Sequence, residues 1–226
     1  CLLSRGLGDV YKRQIVISSM VDAVMLRLSS HDDITEFAKH SSKPVINALS
    51  DDSHPCQILA DLMTYQEKCG SVKGKKIAWV GDGCNVCQTY MQAASIFDFE
   101  LSIATPEGYE PQKSFIEKYQ NNISYSNNPV IASEDADIIV TDVWTSMGQE
   151  SERKQRELAF KGFQVDKKMM SKAKEDAIFM HCLPAYRGKE VSSDVIDGNK
   201  SVVWDEAANR LHVPVSYTHL TLPTKA

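Results

Sequence analysis

Short apolar runs alternate along the chain with amphipathic ones, the pattern of strands and helices in a mostly parallel sheet. The stretch VDAVMLRL (21–28) predicts a strand and HDDITEFAKHSS (31–42) a helix. PVINAL (44–49) predicts a second strand. HPCQILADLMTYQEKCG (54–70) predicts a helix with Pro55 in its first turn and Gly70 past its end, the usual asymmetry of helix termini. A new unit opens at KGKKIAWVGDG (73–83), which reads as a strand, a tight glycine turn and a helix from Asn85. FELSIATP (99–106) is the next strand and PQKSFIEKYQNN (111–122) the next helix. DADIIVTDVW (135–144) and DAIFMHCLP (176–184) complete the predicted strands, with a long charged segment carrying helical pieces between them. The fold class is therefore α/β, with the boundary between two units near residues 70–75 and the 54–69 helix as the bridge.

Composition changes this picture at the two ends. DVYKRQ (9–14) and VSYTH (215–219), written back into codons, are reverse complements in shifted frames, and both resemble translated adapters of DNA library preparation. Residues 1–14 and 214–226 are expected to be adapter-derived, leaving 15–70 as the C-terminal part of a first domain and 71–213 as a second. Removing them takes away three net positive charges (Arg5, Lys12, Arg13 and Lys225 against Asp9) and moves the formal charge from −5 to about −8. An acidic chain argues against a nucleic-acid partner, which calls for a basic face. An anionic small molecule stays compatible, since a site needs only a few local cations. No apolar stretch approaches the roughly 20 residues of a membrane helix. The cysteines at 56, 69, 84, 87 and 182 have no framework spacing, which fits a reducing, cytoplasmic setting. Cys84 and Cys87 spell C-x-x-C, but without a second pair or nearby histidines no metal role is expected.

The candidate chemistry sits at strand ends. The turn GDGCN (81–85) follows a strand and opens a helix, as a dinucleotide loop would. It lacks the third glycine, position 86 being Val, and no acidic residue plainly closes the next strand; a nicotinamide cofactor is therefore not expected. The same turn sets Asn85 at a helix N-terminus above the carboxyl edge of the sheet, where ligands of open α/β folds bind. His54 and Gln57 open a helix after PVINAL, Asp142, Ser146 and Met147 follow DIIVTDVW, and Cys182 follows AIFMH. Taken singly, each reads as a cap or loop residue. Their shared place beyond strand ends points to one site. Strand alternation further predicts that His181 faces away from Cys182, leaving that thiol without the base a nucleophile needs.

Five stretches appear in order: SDDSHPCQILADLMTYQEKCGSVKGKKIAWVGDGCNV, ATPEGYEP, TDVWTSMGQE, MHCLPAYRGKEV and WDEAANRLH. Over residues 15–213 the chain resembles the ornithine carbamoyltransferases, the S-M-G and H-C-L-P-A elements pointing to that branch over the aspartate one. The resemblance implies two Rossmann-like parallel-sheet domains, the first only partly present. It also implies transfer of a carbamoyl group from carbamoyl phosphate to the δ-amine of ornithine, with no cofactor, in a homotrimer. Arg27, His54, Gln57, Cys182, Leu183 and Arg210 match the family's carbamoyl phosphate contacts; Asn85, Asp142, Ser146, Met147 and Cys182 match its ornithine contacts. The catalytic set carried over is Arg27, His54, Gln57, Asp142, Cys182 and Arg210. In this pattern Cys182 touches the reacting amine without attacking, and the SMGQE stretch corresponds to a loop that closes over the amino acid.

Two departures bear on activity. The family's Ser-Thr-Arg-Thr phosphate loop does not occur in the sequence, and Cys84 stands where the family's GDGNN has its first asparagine. Arg210 is expected to open a helix that is cut off, and the chain by itself to turn over poorly. Alternatives from the same residues are a carbamoyltransferase for putrescine or acylated ornithine, a non-catalytic relative that only binds, and a nicotinamide-dependent oxidoreductase.

Overall fold

The strands fall into two parallel sheets in the computed structural model, which describes residues 10–146 and 148–221. The first unit contains α1 (Val10–Met20), β1 (Val24–Arg27), α2 (His31–His40) and β2 (Val45–Leu49). β1 and β2 pair in parallel, with a register shift between Leu26 and Arg27 that offsets Arg27 at the strand end. Ser30 caps α2 by accepting from the Asp33 amide; Asp32 and Asp33 in its first turn and Lys39 and His40 in its last suit the helix dipole.

The bridge is α3 (Pro55–Cys69), which packs on β2. The second unit runs β3 (Lys76–Val80), α4 (Asn85–Phe97), β4 (Glu100–Ala104), α5 (Lys113–Tyr119), β5 (Ile123–Ser126), α6 (Pro129–Ser133) and β6 (Ile138–Thr141). It continues with α7 (Arg153–Ala159), α8 (Lys167–Met170), β7 (Ile178–His181), α9 (Ser193–Ile196) and α10 (Val203–Thr221). Its five strands lie in the order β5-β4-β3-β6-β7, all parallel.

Near-continuous apolar strands such as KIAWV are what a sheet covered on both faces requires. Ile77 and Trp79 point into one core layer with Tyr90, Met91, Phe99 and Ile138. Ala78 and Val80 point into the other, with Phe160, Phe163, Phe179 and Val203. Trp79, Phe99, Phe160 and Phe179 are fully buried, each side chain of this size contributing roughly 1.5–3 kcal/mol by removal from water.

The chain leaves β3 toward β4 and β5 on one side, then crosses back to place β6 on the other. That reversal opens a crevice beyond the carboxyl ends of β3 and β6. Gly83 lies so close to the 106–111 loop that a Cβ there would overlap the backbone nitrogen of Pro111. Its amide donates to Tyr109 O at 2.9 Å, which fixes the turn that aims Asn85 into the crevice.

Three expectations need correcting. A strand and a short helix, β5 and α6, occupy 123–133, where none was predicted; ISYS is a polar sheet-edge strand without an apolar run. Arg210 does not open a helix: it sits two turns into α10, which starts at Val203 and continues past residue 213. The third correction, at His181, belongs to the site.

Candidate active site

A cleft of about 1160 Å³ lies beyond the ends of β1, β2, β3, β6 and β7, lined by Arg27, His54, Asn85, Asp142, Cys182 and Arg210 among others. Ser146 and Leu183 also line it. Met147 lies outside the described residues. Gln57 is buried behind this wall and is not part of it.

Loop 50–54 joins the two units at the cleft. Asn85 Nδ2 donates to Ser50 O at 2.6 Å, Gln88 Nε2 to Asp52 O at 3.2 Å, and the His54 amide to Thr89 Oγ1 at 2.8 Å. One side of Asn85 is thus spent on holding the loop. α10 is clamped on α3 in the same way: Asn209 Nδ2 donates to Thr64 Oγ1 and Glu67 Oε2, each at 2.9 Å, and Lys68 pairs with Asp205 at 3.0 Å. The clamp brings Arg210 beside His54 and onto Gln57 Oε1, to which its Nη1 donates.

His54 precedes Pro55 at the start of α3 and is buried, and its Nδ1 has no hydrogen-bond partner among the described residues. Arg210 Nε is a second buried polar atom without one. Burial first, then the positive charges of Arg210 and Arg27, push the His54 imidazole down from 6.5 to about 3. His54 is therefore a neutral ring at physiological pH, able to hydrogen-bond a polarised carbonyl without adding charge. The folded value lies below the unfolded one, so the stability present above about 6.5 is lost as pH falls toward about 3. Replacing His54 with Asn is expected to flatten the fall of the thermal midpoint between these limits. Parallel curves for the two chains would contradict the neutral-ring assignment.

On the opposite wall, Asp142 follows β6 and is buried. Its Oδ1 accepts from the Val143 amide at 2.7 Å, and Cys84 Sγ approaches Oδ2 at 3.8 Å. Cys182, the residue after β7, brings its sulfur within 4.8 Å of this carboxylate. Burial foremost, then the Asp142 charge, raises both thiols well above their ordinary range. Both are protonated at neutral pH, which makes Cys182 a donor and a poor nucleophile.

His181 does not point away from Cys182, contrary to the strand-alternation argument. β7 ends at His181, and the chain turns at once through Leu183, whose φ is 46°, and the cis Leu183–Pro184 bond. An imidazole nitrogen, the Cys182 sulfur and an Asp142 oxygen all lie within 4.8 Å of one another. Yet both ring nitrogens are occupied: Nδ1 accepts from the Leu183 amide at 3.0 Å, and Nε2 donates to Glu190 at 3.3 Å. His181 braces the turn that aims Cys182 and Leu183 into the cleft.

Sequence reasoning missed Arg156. Its buried guanidinium pairs with Asp82 at 2.8 Å and Glu152 at 3.1 Å, donates to Trp144 O at 3.0 Å and stacks 4.9 Å above the Tyr109 ring. It ties the glycine turn after β3 to the loop after β6, where Ser146 donates its amide to Gln149 Oε1 at 3.0 Å. The i,i+4 spacing of Glu152 and Arg156 was visible in SERKQRE; the long-range partner Asp82 was not. Arg156→Ala leaves Asp82 buried without its cation and is expected to cost about 3–5 kcal/mol in denaturant unfolding. A loss below about 1 kcal/mol would show the pair to be solvent-screened.

An open parallel α/β protein with a ligand crevice between two units is the class this fold and cleft define. The chain belongs to the aspartate/ornithine carbamoyltransferase family: residues 7–67 match its carbamoyl-P binding domain and residues 73–216 its Asp/Orn binding domain. A protein named ornithine carbamoyltransferase from Ruthia magnifica is 61% identical over 211 residues, covering 93% of this chain and 70% of that protein. One of the same name from Hydrogenovibrio crunogenus is 55% identical, over 87% of this chain and 65% of its own length. The solved ornithine carbamoyltransferase of Pyrococcus furiosus superposes with a TM-score of 0.91 at 45% identity, covering 98% of this chain and 73% of that one. That of Burkholderia thailandensis gives 0.88 at 44%, covering 97% and 72%. The chain thus spans 65–70% of the length of these two curated relatives, and its α/β architecture is the two-unit parallel-sheet fold of the family.

Proposed function

We propose that this chain carries most of an ornithine carbamoyltransferase site, which moves a carbamoyl group from carbamoyl phosphate to the δ-amine of L-ornithine, giving L-citrulline and phosphate. One observation carries the reading. The cleft sets two arginines and a neutral buried histidine on one wall against a buried carboxylate and a protonated thiol on the other. Arg27 and Arg210 supply positive charge for the phosphate, and their planar forks suit an oxyanion. His54 donates to the carbonyl oxygen as it gains charge. Gln57, behind the wall, acts through Arg210, whose Nη1 donates to its Oε1. Asp142 holds the amino groups of ornithine, with Asn85 and Ser146 around the amino acid. Cys182 and the Leu183 carbonyl lie beside the reacting nitrogen.

The neutral amine attacks the carbonyl carbon, forming the C–N bond and a tetrahedral intermediate. Collapse breaks the bond to the phosphate oxygen, phosphate departs with the electron pair, and the new amide nitrogen gives up its proton. No bond to the protein forms. Fixing both substrates in contact supplies much of the acceleration. No described helix is long and apolar enough to cross a membrane. The reading places the protein in a reducing cytoplasm, and the complete protein in a trimer, as the family resemblance implies.

Carbamoyl phosphate labelled at carbon, incubated with the chain and ornithine, is expected to give labelled citrulline and phosphate in equal amounts. Turnover should be slow because the chain has no Ser-Thr-Arg-Thr. Product with putrescine or N-acetylornithine in its place would move the reading to those substrates. Binding of both substrates without product would make the chain a binding protein. Cys182→Ser is expected to raise the KM for ornithine with little change in that for carbamoyl phosphate; a trapped carbamoyl-enzyme would overturn the non-covalent route.

A further inference from the structure

The side chain of Gln57 has two N–H bonds and one carbonyl oxygen, and all three are engaged. Nε2 donates to Asp61 Oδ1 and to Glu206 Oε1, each at 2.8 Å, while Oε1 accepts from Arg210. A flipped amide would set its oxygen against two carboxyls and its nitrogen against a guanidinium, so one orientation alone fits these partners. The carboxyls are held in turn. The Tyr90 hydroxyl donates to Asp61 Oδ2 at 2.7 Å, and the His181 amide to Glu206 Oε2 at 2.9 Å. Neither carboxyl lines the cleft, and both are buried.

Two buried carboxyls this close do not both ionise. Burial raises Asp61 to about 6, and burial and then the Asp61 charge raise Glu206 well above its ordinary value. The neutral amide of Gln57 stands between this pair and Arg210. Without it the guanidinium would meet the remaining negative charge directly and be neutralised.

We propose that Asp61 and Glu206 are positioning residues of the site: by claiming both N–H bonds of Gln57 they leave its oxygen to Arg210, which holds the guanidinium at the cleft and keeps its charge for an anionic ligand. The inference deepens the carbamoyl phosphate reading and rests on it for the identity of the anion. The network also reaches the opposite wall, since the amide held by Glu206 belongs to His181, next to Cys182.

The test compares Asp61→Asn with Asp61→Leu in the full chain, by calorimetric titration of carbamoyl phosphate and, separately, inorganic phosphate. In Asp61→Asn the new amide oxygen still accepts from Gln57 Nε2 and its nitrogen can donate to the Tyr90 hydroxyl, so both affinities should stay within roughly threefold of the unsubstituted chain. In Asp61→Leu the new side chain can do neither, and Gln57 loses a fixed partner. Both affinities should then fall by roughly tenfold or more, the scale of one hydrogen bond to a charged group. Equal losses in the two variants, or none in Asp61→Leu, would overturn the proposal. A readout without ligand covers a variant that fails to fold. The Gln57 side-chain amide protons, identified by their absence in Gln57→Met, should exchange slowly with solvent, and fast exchange would overturn the proposal. If neither anion binds the unsubstituted chain, the carbamoyl phosphate reading falls while slow exchange still upholds the positioning role.

Discussion

Asp142→Asn is expected to lower the affinity for ornithine by about a hundredfold, the scale of losing one side of a desolvated charge pair. The carboxylate is buried, yet it forms no ion pair among the described residues. Its hydrogen-bond partners among the described residues are its own following amide and the Cys84 thiol, neither of which cancels its charge. Asp82, which lies nearby, is by contrast matched by Arg156. A buried anion left in this condition is an attractor for a cation, and an amino acid with a second amine brings one. Asparagine keeps the shape and an acceptor for the Val143 amide, so the loss should appear in ornithine titrations and leave the folding midpoint nearly unchanged. Unchanged ornithine affinity would move the amine elsewhere in the cleft.

The second large effect is at Arg210. Arg210→Ala should reduce carbamoyl phosphate affinity by about a hundredfold or more, since charge-assisted contacts to phosphate are among the strongest. It should also destabilise the fold by about 1–3 kcal/mol, because Gln57 Oε1 is left without its donor inside the protein. The positive charge also holds down the values of Asp61 and Glu206, so the pair should take up protons at higher pH in the variant. Ornithine affinity measured alone should change little, because Asp142 and Arg210 act on opposite walls. Loss of both ligands together would point to collapse of the α3–α10 clamp instead.

Strands were legible where burial on both sheet faces forces unbroken apolar runs, as in KIAWV, IIVT and IFMH. The edge strand ISYS, half in solvent, carries no such signal. Helix α3 announced itself by Pro55, Gly70 and its spacing. The site was legible as residues beyond strand ends, because parallel sheets put ligands there. Its supports were not. Asp82 with Arg156, Gln57 with Glu206 and Asn85 with Ser50 join positions 74, 149 and 35 residues apart. No local pattern encodes such pairs. Alternation failed at His181 for a related reason: the rule holds inside a strand, and β7 ends on that residue. Gln57 was drawn into the candidate site by its helix position, but sequence could not tell that it stands behind Arg210 and not on the wall.

The central claim is that one cleft holds both substrates in line, phosphate on the Arg27–His54–Arg210 wall and amine on the Asp142–Cys182 wall. Its most direct test is calorimetric titration of a bisubstrate phosphonate, a phosphonoacetyl group joined to the δ-nitrogen of ornithine. The chain, Arg210→Ala, Asp142→Asn and the double variant would be compared. One molecule should bind per chain, each single variant should weaken it, and the losses should add as free energies because the two residues do not touch. Affinity unchanged by either substitution, or lost through one wall alone, would contradict the claim.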